Sequence, residues 1–211
     1  VITVTDVTER HEAEVASRAE TTQLRHRALH DGLTGLPNRT MLMDRLAEAH
    51  QTAVRRGAGT GLIVVDLDGF KGVNDRLGHA VGDEVLVQVA LRLRSTLRSS
   101  DTAARLGGDE FVVLCEDLHP GMADLEVTHI AQRLQELLNQ VYVTTGGPAE
   151  IGASVGWAIA APGEALDLDL VVKADEAMLA DKRERKGVPE EQRPEVLDRS
   201  VVVPSDAESL T

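Results

Sequence analysis

The most constraining feature of this chain is a pair of apolar segments, about Thr102 to Leu106 and Phe111 to Cys115, separated only by Gly107-Gly108-Asp109-Glu110. So short a glycine-containing connection reads as a hairpin. Upstream, the apolar run "GLIVVDLD" reads as a strand ending at Asp66, and Leu86, Val89, Leu93 and Leu97 then recur at helical spacing. Met41, Leu42, Leu46 and Ala49 mark an earlier helix. Beyond the hairpin a helix is expected around Ala131 to Leu138, followed by strands with a turn at Gly146-Gly147-Pro148. Leu170, Ala174 and Met178 mark a last helix. The core order is β-α-β-β-α-β, the split βαβ or ferredoxin-like plan. It predicts an α/β (α+β) domain whose central, mostly antiparallel sheet is flanked by helices.

That plan gives the acids of the hairpin a purpose. The first and third strands are antiparallel neighbours in it, so the exit of the first at Asp66 shares a sheet end with Asp109 and Glu110. Three converging carboxylates repel and raise one another's pKa unless a cation sits among them. A hard divalent metal is the simplest remedy. The alternative is a solvated turn with ordinary acids. Gly107 and Gly108 favour the first reading, because residues without Cβ let a bulky anionic ligand approach the backbone. Past Asp66, a loop opens onto a helix at Phe70 and Lys71, whose free N–H groups and ammonium make a phosphate cradle. Asn74 and Asp83 add an amide and an acid suited to guanine, whose N1–H and exocyclic amine are donors. The competing reading has Asp83 capping the next helix and Asn74 holding a turn.

Composition narrows the partners. With 22 basic and 35 acidic residues the net charge is -13, so there is no global attraction for nucleic acid or an anionic membrane. A chain of 211 residues accommodates one ordinary domain with flanking segments. The single cysteine, Cys115, excludes an intrachain disulfide and lies in an apolar run, which fits burial in a reducing, cytoplasmic setting. No apolar run approaches the roughly 20 residues that span a bilayer. The chain opens at Val1 without an initiator Met and is expected to be a segment of a longer protein. Residues 1–8 alternate like a final strand, and Asp6 with Glu9 resembles a capping box. Residues 9–29 read as a charged connector helix, equally a dimer stalk, with Val15, Thr22 and Leu29 spaced by sevens. Residues 188–211, with three prolines, read as a disordered linker or tail.

Four segments carry a resemblance: "DGLTGLPNR" (Asp31 to Arg39), "DLDGFKGVNDRLGHAVGDEVL" (Asp66 to Leu86), "RLGGDEF" (Arg105 to Phe111) and "SVGWA" (Ser154 to Ala158). In this order they resemble a GGDEF domain of the diguanylate cyclase family, over residues 30–187. The resemblance implies a core like the palm of class III nucleotide cyclases and polymerases. It also implies condensation of two GTP into cyclic di-GMP with loss of two pyrophosphates. By this resemblance Asp66 and Asp109 are side-chain metal ligands, the Leu67 carbonyl is a further ligand, and Glu110 assists the second metal or the attacking hydroxyl. Two Mg²⁺ or Mn²⁺ ions per active site are implied. Asn74 and Asp83 match guanine-binding positions, while Phe70, Lys71 and the distal Lys182 match phosphate-binding ones. Gly107 and Gly108 lie against the substrate. Each domain holds one GTP, so activity implies a homodimer of facing domains.

The same resemblance places a product-inhibition site at Arg98 and Asp101, which have RxxD spacing. An Arg near a helix C-terminus and an Asp in the next turn are the plainer account. Leu179, Asp181 and Gly187 depart from the family pattern. Asp181 beside Lys182 is expected to weaken that lysine's pull on triphosphate, with Arg183, Arg185 and Lys186 as substitutes. The opening "DVTER" resembles the junction that closes a PAS sensor domain, which implies a fused upstream sensor. The alternative function is a catalytically weak domain that binds GTP or cyclic di-GMP and controls an attached output domain such as an EAL phosphodiesterase. A complete set of acids at Asp66, Asp109 and Glu110 favours the enzyme.

Overall fold

The computed structural model describes residues 20, 23–164, 166 and 168–186. The expectations for residues 1–8, for most of 9–29 and for 188–211 lie outside these. Residues 23–29 form helix α1. There follow α2 (Arg39–Arg56), β1 (Gly59–Asp68), α3 (Phe70–Leu77), α4 (His79–Thr96), β2 (Thr102–Gly107) and β3 (Glu110–Leu118). The chain continues through α5 (Ala123–Leu138), β4 (Tyr142–Thr144), β5 (Gly147–Ala149), β6 (Gly152–Ala160) and α6 (Leu168–Lys186).

The main sheet has the order β2-β3-β1-β6, and every neighbouring pair in it is antiparallel. β1 and β3 are therefore adjacent, as the split βαβ plan requires. Strand side chains alternate between faces. Along β1, Ile63, Val65 and Leu67 join the layer of α4 and α5, whereas Leu62 and Val64 join that of α2 and α6. Both faces are covered, so the strand reads as an unbroken apolar run. Each of these fully buried side chains contributes roughly 1.5 to 3 kcal/mol.

Several boundaries differ from the sequence expectation or refine it, each for a local reason. β1 runs on to Asp68 because Asp66, Leu67 and Asp68 still pair with β6. α5 begins at Ala123, since Val127 and Ile130 extend the buried stripe and Asp124 and Glu126 suit a first turn. The hairpin β4–β5 forms its own small sheet and turns at Thr145 and Gly146, so Gly147 and Pro148 lie in β5. Gly78, at φ 86°, separates α3 from α4, and its N–H donates to the Asn74 carbonyl at 2.9 Å.

Two features set the surroundings of the sheet's functional end. The segment entering α2 is folded back on α1: the Asn38 side chain donates to the Ala28 carbonyl (2.8 Å) and accepts from Met41 N (3.1 Å), capping α2. β6 is an edge strand whose backbone is closed by side chains. Asn139 Oδ1 accepts from Ala153 N at 2.9 Å, Gln135 Nε2 donates to Ala153 O at 3.2 Å, and Asp181 Oδ2 accepts from Val155 N at 3.3 Å. Among the described residues no helix is long and apolar enough to cross a membrane.

Candidate active site

The alternation that buries Leu62 and Val64 against α2 and α6 carries Asp66 and Asp68 to the same face at the end of β1. Glu110 shares that face of β3 with Val112 and Leu114. Asp66 pairs in register with Glu110 on one side and with Ser154 on the other. Gly107 pairs with Glu110, which leaves Gly108 and Asp109 as the two-residue turn. Gly108 has φ 51°, and a tight hairpin of type II′ takes glycine at this first central position. Asp66, Asp109 and Glu110 are thus brought to one end of the sheet. A Cβ placed on Gly107 or Gly108 would meet nothing within 4 Å, so the turn faces open space.

Helix α6 covers this end. The Lys182 ammonium donates to Asp66 Oδ1 and lies 3.6 Å from Asp68 Oδ1. Asp68 Oδ2 accepts from the Ser154 hydroxyl at 2.6 Å. Burial pushes the Asp109 carboxyl above the usual range, and the Asp66 charge adds to this against partial relief from Lys182 and Arg105. Burial likewise raises Glu110, reinforced by Asp66, Asp109 and Asp175. Asp175, on α6, is raised by burial and then by Asp66. Lys182 moves upward too: burial disfavours its charge, but the hydrogen bond and charge of Asp66, with Asp68 and Asp109, outweigh it. These carboxylates hold more negative charge than one lysine offsets.

The turn is tied to the start of the domain by Arg105. Its Nε and Nη2 donate to Gly108 O at 3.1 and 2.7 Å, and Nη1 donates to Asp31 Oδ1 at 2.9 Å. Asp31 Oδ1 also accepts from Thr34 N (2.8 Å) and Thr34 Oγ1 (2.6 Å). The Arg105 N–H donates to Pro37 O at 2.9 Å.

Next to β1, α3 starts at Phe70 behind Gly69, which has no side chain to cap it. Its first N–H groups, at Phe70 and Lys71, are those a phosphate would use. Asn74 Oδ1 is buried without a hydrogen-bond partner among the described residues. Asp83 lies within α4, four residues past His79, so it does not cap that helix.

An all-oxygen donor set of Asp66, Asp109, Glu110 and the Leu67 carbonyl fits a hard divalent cation, and the raised acids show charge that such a cation would offset. Among the described residues, no three His, Cys, Asp or Glu side chains stand close enough to hold a metal as they are. Lys182 occupies Asp66 instead. Asp181, next to Lys182 in sequence, is turned toward β6. Its carboxylate accepts from Val155 N and, at 3.2 Å, from Gln135 Nε2.

At the other end of β2, Arg98 and Asp101 form a turn. Asp101 Oδ2 accepts from Arg98 N at 3.0 Å, and Asp101 N donates to Arg98 O at 3.1 Å. The Arg98 guanidinium lies 3.6 Å from Glu126. Cavities of about 400 and 260 Å³ open on either side of this pair, the first reaching Arg45 and Arg94, the second His129 and Arg133.

Sequence reasoning missed Asp68, Ser154, Asp175 and the Asp31–Arg105 tie. Asp68 was recoverable, since it is two residues past Asp66 on a strand of period two. Asp175 is seven residues, about two helical turns, before Lys182.

The family described as "Diguanylate cyclase, GGDEF domain" matches residues 28–187. A bifunctional diguanylate cyclase/cyclic di-GMP phosphodiesterase, MucR of Pseudomonas aeruginosa, is 44% identical over 152 residues, which is 72% of this chain and 22% of MucR. The diguanylate cyclase TpbB of the same species is 38% identical over 169 residues, 80% of this chain and 38% of TpbB. The chain thus spans well under half the length of these two relatives. Among solved structures, the coiled coil and GGDEF domain of DgcB from Caulobacter crescentus, in complex with c-di-GMP, superposes with a TM-score of 0.69 at 29% identity. That superposition covers 85% of this chain and 96% of the DgcB chain.

Proposed function

The chain belongs to the GGDEF, diguanylate cyclase family, and on that premise we propose that it condenses two GTP into cyclic di-GMP and two pyrophosphates. The observation that carries this reading is the in-register pairing of Asp66 with Glu110 beside the Asp109 turn. It supports a site in which negative side chains surround a hard cation and a triphosphate. Lys71, the N–H groups that open α3, and Lys182 hold the phosphates. Asn74 and Asp83 read the guanine edge, with the carboxylate accepting from N1–H and the exocyclic amine. Divalent Mg²⁺ or Mn²⁺ ions, held by Asp66, Asp109, Glu110 and the Leu67 carbonyl, would supply positive charge to the entering and leaving oxygens.

Glu110, pushed upward by burial and its acidic neighbours, is suited to take the proton of an attacking 3′-hydroxyl. The new bond joins that 3′-oxygen to the α-phosphorus of the other nucleotide, and the bond to pyrophosphate breaks. One domain offers one such site, so the reaction runs in a homodimer with the two sites facing. Arg98 and Asp101 take the product, because the turn presents a guanidinium beside cavities large enough for a nucleotide. An upstream sensor joined through α1 would set the dimer geometry, and the Arg105 bridge from Asp31 to Gly108 O supports a mechanical route to the turn.

The test is product formation from GTP with Mg²⁺ or Mn²⁺ across a range of protein concentrations, after bound nucleotide is stripped. Cyclic di-GMP rising more steeply than linearly with protein, and lost in Asp109→Asn, is expected. Saturable GTP binding without product in an enforced dimer would replace this reading with that of a regulatory receptor.

A further inference from the structure

Lys182 holds a position that phosphate binding alone does not require. Its ammonium sits on Asp66 Oδ1 and 3.6 Å from Asp68 Oδ1, and the Asp66 and Asp68 side chains are only 18% and 17% exposed. The groups facing it are Asp66 and Asp68 from β1, Asp109 from the β2–β3 turn, and Ser154 of β6 through Asp68. Its helix neighbour Asp181 is turned toward β6. Arg105, another cation near these acids, is bound to Asp31 and Gly108 O. A divalent cation on the same carboxylate oxygen would stand within a few ångströms of the ammonium, where like charges repel strongly.

We propose that Lys182 is a resident counter-cation of Asp66 in the nucleotide-free domain, so that a divalent metal is admitted together with a triphosphate rather than before it. The inference rests on the cyclase-site reading and concerns the order in which that site fills. An arriving triphosphate offers the ammonium new anionic partners and releases Asp66. By linkage the effect is reciprocal: metal strengthens triphosphate binding by the factor by which triphosphate strengthens metal binding. The domain thereby favours the metal–nucleotide complex over the bare ion.

The experiment measures Mn²⁺ binding to the stripped full chain by the electron paramagnetic resonance of free Mn²⁺, with and without a GTP analogue whose α,β-bridge is a methylene. Lys182→Met and Lys182→Gln should bind Mn²⁺ at least about tenfold more tightly without nucleotide, with most of the analogue's enhancement gone. Lys182→Arg keeps a cation there and should retain the wild-type pattern. Wild-type or weaker Mn²⁺ affinity in Lys182→Met, with binding still lost in Asp66→Asn, overturns the inference and leaves the site assignment standing. Mn²⁺ binding unaffected by Asp66→Asn removes the site assignment itself, and the inference with it.

Discussion

Gly156→Ala tests the contact that sets α6, and therefore Lys182, on the sheet. A Cβ at Gly156 would lie 1.9 Å from Met178 N, 2.4 Å from Ala174 O and 2.5 Å from Met178 Cα. All three are backbone atoms, so no rotamer change relieves the clash. Ordinary contact begins at 3.4 Å, and the gap to 1.9 Å requires the helix to retreat by about 1.5 Å. That retreat loosens Leu170, Ala174 and Met178, now at most 5% exposed. Overpacking of this kind costs roughly 1 to 3 kcal/mol, and rigid backbone on both sides puts Gly156→Ala near the top of the range. At roughly 2 to 4 °C per kcal/mol for a domain of this size, Tm should fall by about 6 to 12 °C.

Activity should fall further than stability. Lys182 is one turn beyond Met178, so the same retreat lifts its ammonium away from Asp66, and a misplacement of about 1 Å in a catalytic group can cost on the order of a hundredfold in rate. Thermal and urea melts measure the first effect, and cyclic di-GMP formation below the melting range measures the second. A variant with the wild-type midpoint would refute the packing argument. A variant with lowered Tm and full activity would show that α6 need not be held this closely for Lys182 to act.

Three further outcomes follow from other parts of the structure. Arg105→Ala removes both bonds to Gly108 O and the ion pair with Asp31, whose partners are 11% and 24% exposed; urea denaturation should show a loss on the order of 3 kcal/mol. The same bridge has a pH signature: burial pushes the Asp31 carboxyl up, but the Thr34 bonds and Arg105 outweigh it, leaving the group below its ordinary 3.8. Its stabilisation is therefore present above pH 3.8 and lost as pH falls through the lowered folded value, and Asp31→Asn should flatten that acid limb in melts. Arg98→Ala should relieve inhibition by cyclic di-GMP; unchanged inhibition constants would remove Arg98 from product binding.

How much of this was legible depends on which interactions place each residue. Asp66, Asp109 and Glu110 were legible together because the split βαβ order sets the end of the first strand beside the start of the third. Asp68 obeys strand alternation, but a strand assumed to end at Asp66 hid it; its pairing with Gly152 comes from β6, which is distant in sequence. Lys182 was recognised by resemblance, yet its grip on Asp66 depends on how α6 docks. That docking turns on Gly156, whose only sequence signal is the absence of a side chain. The contact of Asp181 with β6 was hidden for a related reason. Proximity in sequence suggested a charge beside Lys182, whereas adjacent helical residues point about 100° apart. The Asp181 carboxylate meets an edge N–H of β6 that no reading of the helix alone could supply.

The two halves of the site consequently differ in how firmly they are held. On the strand side, a one-residue slip of β1 against β3 would move Asp66 away from Glu110 and exchange the faces of Leu62, Ile63, Val64 and Val65. Each of these four is at most 6% exposed, two against α2 and α6 and two against α4 and α5, so a slip would have to repack both cores at once. The relative placement of the acids is thus enforced by hydrophobic packing that has no part in the chemistry. The α6 side has no such register. Leu170, Ala174 and Met178 bury the earlier turns of the helix, whereas Lys182 lies one turn beyond them and is held by its ion pair and the Asp181 tether. A site that must exchange an ammonium for a metal needs this division: acids that cannot shift, and a lysine that can.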